Sequence, residues 1–143
     1  MNGIVLLIFT SETCGGCKRF KDSGKMGMLK NKLRSIIDID DITSQSISED
    51  KYNNEFIHLL NKWYPSFYLC TKKSLYDKNA KFEGIVMGGN IKNGEIKIDR
   101  SKISLDIDDI INWVTNNINS SNINSSNNYT NYTDYESRLK LLL

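Results

Sequence analysis

The chain has 143 residues, 39% of them apolar and 25% charged, with a net charge of +2. That length and apolar content suit one domain with a core of about 100 residues and a tail. The net charge is too small to argue for nucleic acid or an anionic membrane as a partner, and the basic residues are scattered among acids along the chain.

Ile4-Val5-Leu6-Leu7-Ile8-Phe9 is a continuous β-branched and aliphatic run. It is too short for a membrane helix and lacks the basic flank and small-residue cleavage site of a secretion signal, so it predicts a strand covered on both faces. A reducing compartment, the cytoplasm, is the expected setting, with a virus particle as the alternative. Ser11-Glu12-Thr13 predicts a turn, with Thr13 as the helix cap. A helix then runs from about Cys14 through Phe20, and Gly24 and Gly27 bend or interrupt it. Ser35 to Asp40 predicts a second strand.

From Ser48 to Tyr64 the period is helical, with Tyr52, Phe56, Leu59, Leu60 and Trp63 on one face. Pro65, the only proline, follows that helix and precedes a third strand, Ser66 to Thr71. Lys72 to Lys81 is polar and predicts a loop. Phe82 to Met87 predicts a fourth strand ended by Gly88-Gly89. Asn93-Gly94 is a two-residue turn signal that pairs the segment before it with Glu95 to Ile98. A last helix spans Leu105 to Ile118. The expected order is β-α-β-α-β-β-α, an α/β domain over residues 1–118 with a mixed sheet and helices on both faces. Residues 119–143 form an Asn/Ser-rich tail ending in Leu141-Leu142-Leu143. Its Asn-X-Ser/Thr matches are what such a composition produces by chance.

The chemistry concentrates in Cys14-Gly15-Gly16-Cys17. A cysteine at a helix start sits where orphan N–H groups and the helix dipole favour the thiolate, the nucleophilic form. Cys17, three residues on, lies within disulfide reach. A Cys14 thiolate would attack a disulfide, and Cys17 would resolve the mixed disulfide. Gly15 and Gly16 keep the site open to another backbone. Zinc is the competing chemistry. It normally takes four ligands, and the chain offers Cys14, Cys17, Cys70 and His58, with Cys70 in an apolar strand and His58 off the apolar face of its helix. No metal and no cofactor are expected.

A strand followed by Thr13-Cys14-Gly15-Gly16-Cys17-Lys18, a βα continuation, and Tyr64-Pro65-Ser66 ahead of a strand resembles the thioredoxin family over roughly residues 3–118. The resemblance implies a thioredoxin-like fold with a central four-stranded sheet. It implies that Pro65 is cis and faces the CxxC, and that the Tyr64 backbone pairs with an extended substrate. It implies a monomer that acts on protein disulfides and is recycled by a separate reductase or oxidant. Lys18 matches the family pattern. Thr13 stands where the family usually has Trp, Gly16 where thioredoxins usually have Pro, and Ile8 where a buried acid usually moves protons for the resolving cysteine. Glu12 is the nearest substitute for that acid. The missing N-terminal strand and helix make the core similar to glutaredoxins, and Gly88-Gly89 is similar to their glycine pair. Two alternatives therefore stand beside the oxidoreductase: a binding or scaffold module with little turnover, and a glutathione-dependent enzyme.

Overall fold

The computed structural model describes residues 3–47, 51–59, 64–92, 94–119 and 123. A four-stranded sheet in the order β2-β1-β3-β4 forms its centre. β1 (Ile4–Thr10) runs parallel to β2 (Asp38–Thr43) and antiparallel to β3 (Ser66–Thr71), and β4 (Gly84–Val86) pairs antiparallel with β3. All seven residues of β1 are buried, as its continuous apolar run predicts.

Alternation along β1 divides the core. Ile4, Leu6 and Ile8 face α1 (Gly15–Asp22), α2 (Lys25–Leu33) and α5 (Ile107–Asn117) through Phe20, Leu29, Leu33, Ile110 and Val114. Val5, Leu7 and Phe9 face α3 (Asn54–Leu59) and α4 (Lys72–Tyr76), with Tyr52, Phe56, Tyr68, Leu75 and Phe82. Helices thus cover both faces of a mixed sheet. Among the described residues no helix is long and apolar enough to cross a membrane.

Several boundaries differ from expectation. The interruption expected at Gly24 is present, since that residue takes φ +84°, a left-handed conformation open to glycine, and caps α2, whereas Gly27 lies within α2 and does not interrupt it. β2 starts three residues later than predicted. Ile36 and Ile37 close the end of α2 by donating N–H groups to the Leu33 carbonyl at 2.9 and 3.0 Å. The aspartates of β2 are tolerated because each has a partner: Lys72 on Asp38, Tyr76 at 2.6 Å on Asp40, and Lys30 at 2.8 Å on Asp41.

α3 begins at Asn54 rather than at Ser48. Asn53 caps it, accepting from the Phe56 N–H at 3.0 Å, and its amide donates to the Asp77 and Ala80 carbonyls, each at 2.6 Å. Ser48, Leu60 and Trp63 of the predicted helix lie outside the described residues. The predicted loop at Lys72 contains α4, capped by Thr71 accepting from the Ser74 N–H at 3.2 Å. Its lysines hid it, since Leu75 is its one buried apolar side chain. β4 covers only the middle of the predicted strand. β5 (Gly89–Lys92) and β6 (Glu95–Ile98) make the predicted hairpin, but as a separate two-stranded sheet. With the split first helix, α4 and two further strands, β5 and β6, the observed order is longer than β-α-β-α-β-β-α. Of the tail, Asn119 and Ile123 fall among the described residues, and Ile123 is buried in the first core.

Candidate active site

The site forms where β1 hands over to α1. Thr10 ends β1, and Ser11 to Thr13 turn the chain so that the Cys14 N–H reaches the Ser11 carbonyl at 3.1 Å. Cys14 itself is the N-cap of α1. Its sulfur accepts from the Cys17 N–H at 3.2 Å, in the place a serine or aspartate oxygen commonly fills. Thr13 was the expected cap. It stands one residue too early, is exposed, and its hydroxyl pairs with Ser11 Oγ at 3.0 Å instead.

Antiparallel pairing of Phe9 with Ser66 brings Pro65 to the same end of the sheet. The Tyr64–Pro65 peptide is cis, as the resemblance implied, and Pro65 is buried. The Cys14 thiol donates to the Tyr64 carbonyl oxygen at 3.5 Å. The Tyr64 ring packs on Phe9 with centroids 5.3 Å apart, which fixes where that carbonyl points. A Cβ placed on Gly16 would stand 3.9 Å from Cys14 Sγ and 4.0 Å from Pro65 Cδ, so the first turn of α1 and the proline are neighbours. Cys14, Gly15, Gly16, Cys17, Tyr64 and Pro65 therefore come together. Lys18 is exposed on α1, and no hydrogen bond or ion pair ties its side chain to the thiols among the described residues.

The two sulfurs differ in setting. Cys14 is half-buried and Cys17 is 1% exposed. Burial pushes the Cys17 thiol up to about 11, and contact with Cys14 adds to this, while a backbone hydrogen bond from Ser11 and the Lys21 ammonium work against it. At neutral pH Cys17 holds its proton.

Reasoning from sequence missed two supports. Lys21 donates to Thr10 Oγ1 at 3.1 Å, and its place four residues beyond Cys17 on one helix was the available signal. Gln45, from the connection after β2, accepts from the Glu12 N–H at 3.0 Å and donates to Ser11 Oγ at 3.3 Å. No spacing pattern points to it. Glu12 is exposed, and Ile8, where an acid would stand, is fully buried in the first core.

The remaining candidates lie elsewhere. Cys70 pairs with Val5, four residues down β1 from the site end, which is about 13 Å away along the strand. His58 is exposed on α3. Among the described residues, no three His, Cys, Asp or Glu side chains are grouped to hold a metal ion. Gly88-Gly89 has a reason in the hairpin: Gly88 takes φ +77°, and a Cβ on Gly89 would run into the Lys97 carbonyl. No protein-family model, curated protein or solved structure matches this chain.

Proposed function

We propose that the chain is a thioredoxin-like dithiol–disulfide oxidoreductase acting on protein disulfides, with Cys14 as nucleophile and Cys17 as resolving thiol. The observation that carries this is the unequal pair: a half-buried Cys14 sulfur capping α1, backed by a buried Cys17 that keeps its proton.

In the forward direction the Cys14 thiolate attacks one sulfur of a substrate disulfide. A Cys14–substrate S–S bond forms, the substrate S–S bond breaks, and the departing thiolate takes a proton. Cys17 then gives up its proton and attacks Cys14 Sγ. The Cys14–Cys17 disulfide forms and the second substrate thiol leaves. Two electrons pass to the substrate, and a separate dithiol reductase restores the pair. The reverse sequence oxidises a substrate dithiol. When Cys14 loses its proton, the Tyr64 carbonyl loses its donor and opens to a substrate backbone N–H, the pairing that an extended segment needs. The reaction draws on no metal or cofactor, and a soluble monomer in the cytoplasm is the form we expect.

Reduction of an insulin-type protein disulfide tests the reading. Cys14→Ser is expected to abolish turnover, and Cys17→Ser to accumulate a covalent mixed disulfide. Wild-type rates from both variants would overturn it.

One observation favours a second reading, a binding module of this fold with little turnover. Ile8, at the position where the resemblance implies a proton-relaying acid, is a buried aliphatic side chain, so deprotonation of the resolving thiol lacks that acceptor. Steady multiple turnover by unmodified protein excludes this second reading. A single covalent capture without release supports it.

A further inference from the structure

The net charge of +2 conceals a local imbalance. The expectation that basic residues are scattered among acids fails over one stretch: between Lys18 and Arg34 the chain carries seven cations against one acid, Asp22. The fold places this stretch on α1, whose first turn holds the thiols, and on α2 and the turn after it. Two of the seven are engaged, Lys30 with Asp41 at 2.8 Å and Lys21 with Thr10 at 3.1 Å. The other five make no ion pair or side-chain hydrogen bond among the described residues, and all five are exposed.

Arg19 leans over the first turn of α1, which carries the sulfur. Long side chains on a helix lean toward its N-terminus, over the residues three and four earlier. For Arg19 those residues are Gly16 and Gly15, which offer no side chains. The guanidinium lies back over them: Nη1 is 3.3 Å from where a Gly15 Cβ would be, and Nη2 is 3.9 Å from where a Gly16 Cβ would be. Cys14 Sγ is also 3.9 Å from that Gly16 position. A planar cation with free donors thus rims the nucleophile, seated on the two glycines of the CGGC.

We propose that Arg19 is a specificity-determining residue that grips a carboxylate of the substrate polypeptide, so that the preferred substrates are protein disulfides flanked by Asp or Glu. This rests on the oxidoreductase reading above. A guanidinium matches a carboxylate through two parallel N–H donors, which fixes the register of the substrate as well as attracting it. The other unpaired cations of this stretch add long-range positive charge that raises the encounter rate with an acidic segment.

The test uses two synthetic peptides with the same intramolecular disulfide, one flanked by Asp and Glu and the other by Asn and Gln, with kcat/KM measured for each. Wild type is expected to favour the acidic peptide about two- to fivefold, the size of one exposed ion pair. Added salt should shrink that ratio. In Arg19→Gln the ratio should fall toward one, and in Arg19→Lys it should recover in part. A wild-type ratio near one, or a ratio that Arg19→Gln leaves intact, overturns the proposal while leaving the oxidoreductase reading in place. So does discrimination confined to oxidised glutathione, or retention on anionic vesicles or duplex DNA without discrimination between the peptides. Failure of wild type to reduce either peptide overturns the oxidoreductase reading, and this proposal with it.

Discussion

Cys17 and Cys70 are buried to almost the same degree, 1% and 0% exposed, and burial raises the pKa of both thiols. Their neighbours separate them. Cys17 sits at the start of a helix with a second sulfur, a lysine and a turn backbone around it. Cys70 sits inside β3 between Val5 and Gly84, with the Asp40 carboxylate as the nearest charge acting on it. Desolvation holds both thiols neutral, so it cannot by itself mark a redox centre. What Cys17 has and Cys70 lacks is a partner sulfur three residues away, half-buried at the end of the sheet.

The contrast can be broken at several points. The largest effect concerns access. In native protein an alkylating reagent should label Cys14 at once and Cys70 at least about 1,000-fold more slowly, since Cys70 is reached only when the sheet opens. Mass mapping of the labelled cysteines over time decides this, and rapid Cys70 labelling would remove the distinction. Next is the glycine beside each cysteine. A methyl group on Gly84 would press on Cys70 Cβ, the Leu69 carbonyl and the Phe82 ring, each at 2.9 Å. Gly84→Ala should therefore cost about 1–3 kcal/mol of stability in urea denaturation.

The third concerns pH. The folded chain keeps the Cys17 proton after the unfolded chain has lost it, so the stability that Cys17 contributes is present below its ordinary value of 9.0 and disappears as pH rises from there to about 11. Denaturation midpoints across that range should fall more steeply for wild type than for Cys17→Ala. Equal slopes would place the shifted group elsewhere. The smallest effect is at Gly16, where a Cβ meets only ordinary contacts near 4 Å. Gly16→Ala should raise stability by about 0.5–1 kcal/mol by restricting the unfolded chain, and the melting temperature should rise rather than fall.

How much of this was legible follows from where the information lies. β1, β3 and the β5–β6 hairpin were readable because continuous apolar runs and Asn-Gly are local signals. Cys14 and Cys17 were readable from their spacing. Tyr64 and Pro65 lie some fifty residues from Cys14, and nothing in composition joins them. The family resemblance brought them in, and the Phe9–Ser66 register shows how the chain does so. The start of β2 was hidden because its aspartates look like a loop until Lys72, Tyr76 and Lys30 are seen against them. α4 was hidden by its two lysines. Lys21 and Gln45 were missed because their hydrogen bonds come from direction in space, which residue type alone does not carry.

The central place of β1 has a consequence for how the molecule would fail. The strand that leads into the thiols is bonded on both sides, by β2 and β3, and buried on both faces. Its amides should be among the last to exchange with heavy water, because no partial opening frees them without parting the sheet. The thiols hang from the part of the chain that lets go last, so chemical competence and native structure should disappear at one temperature rather than in sequence.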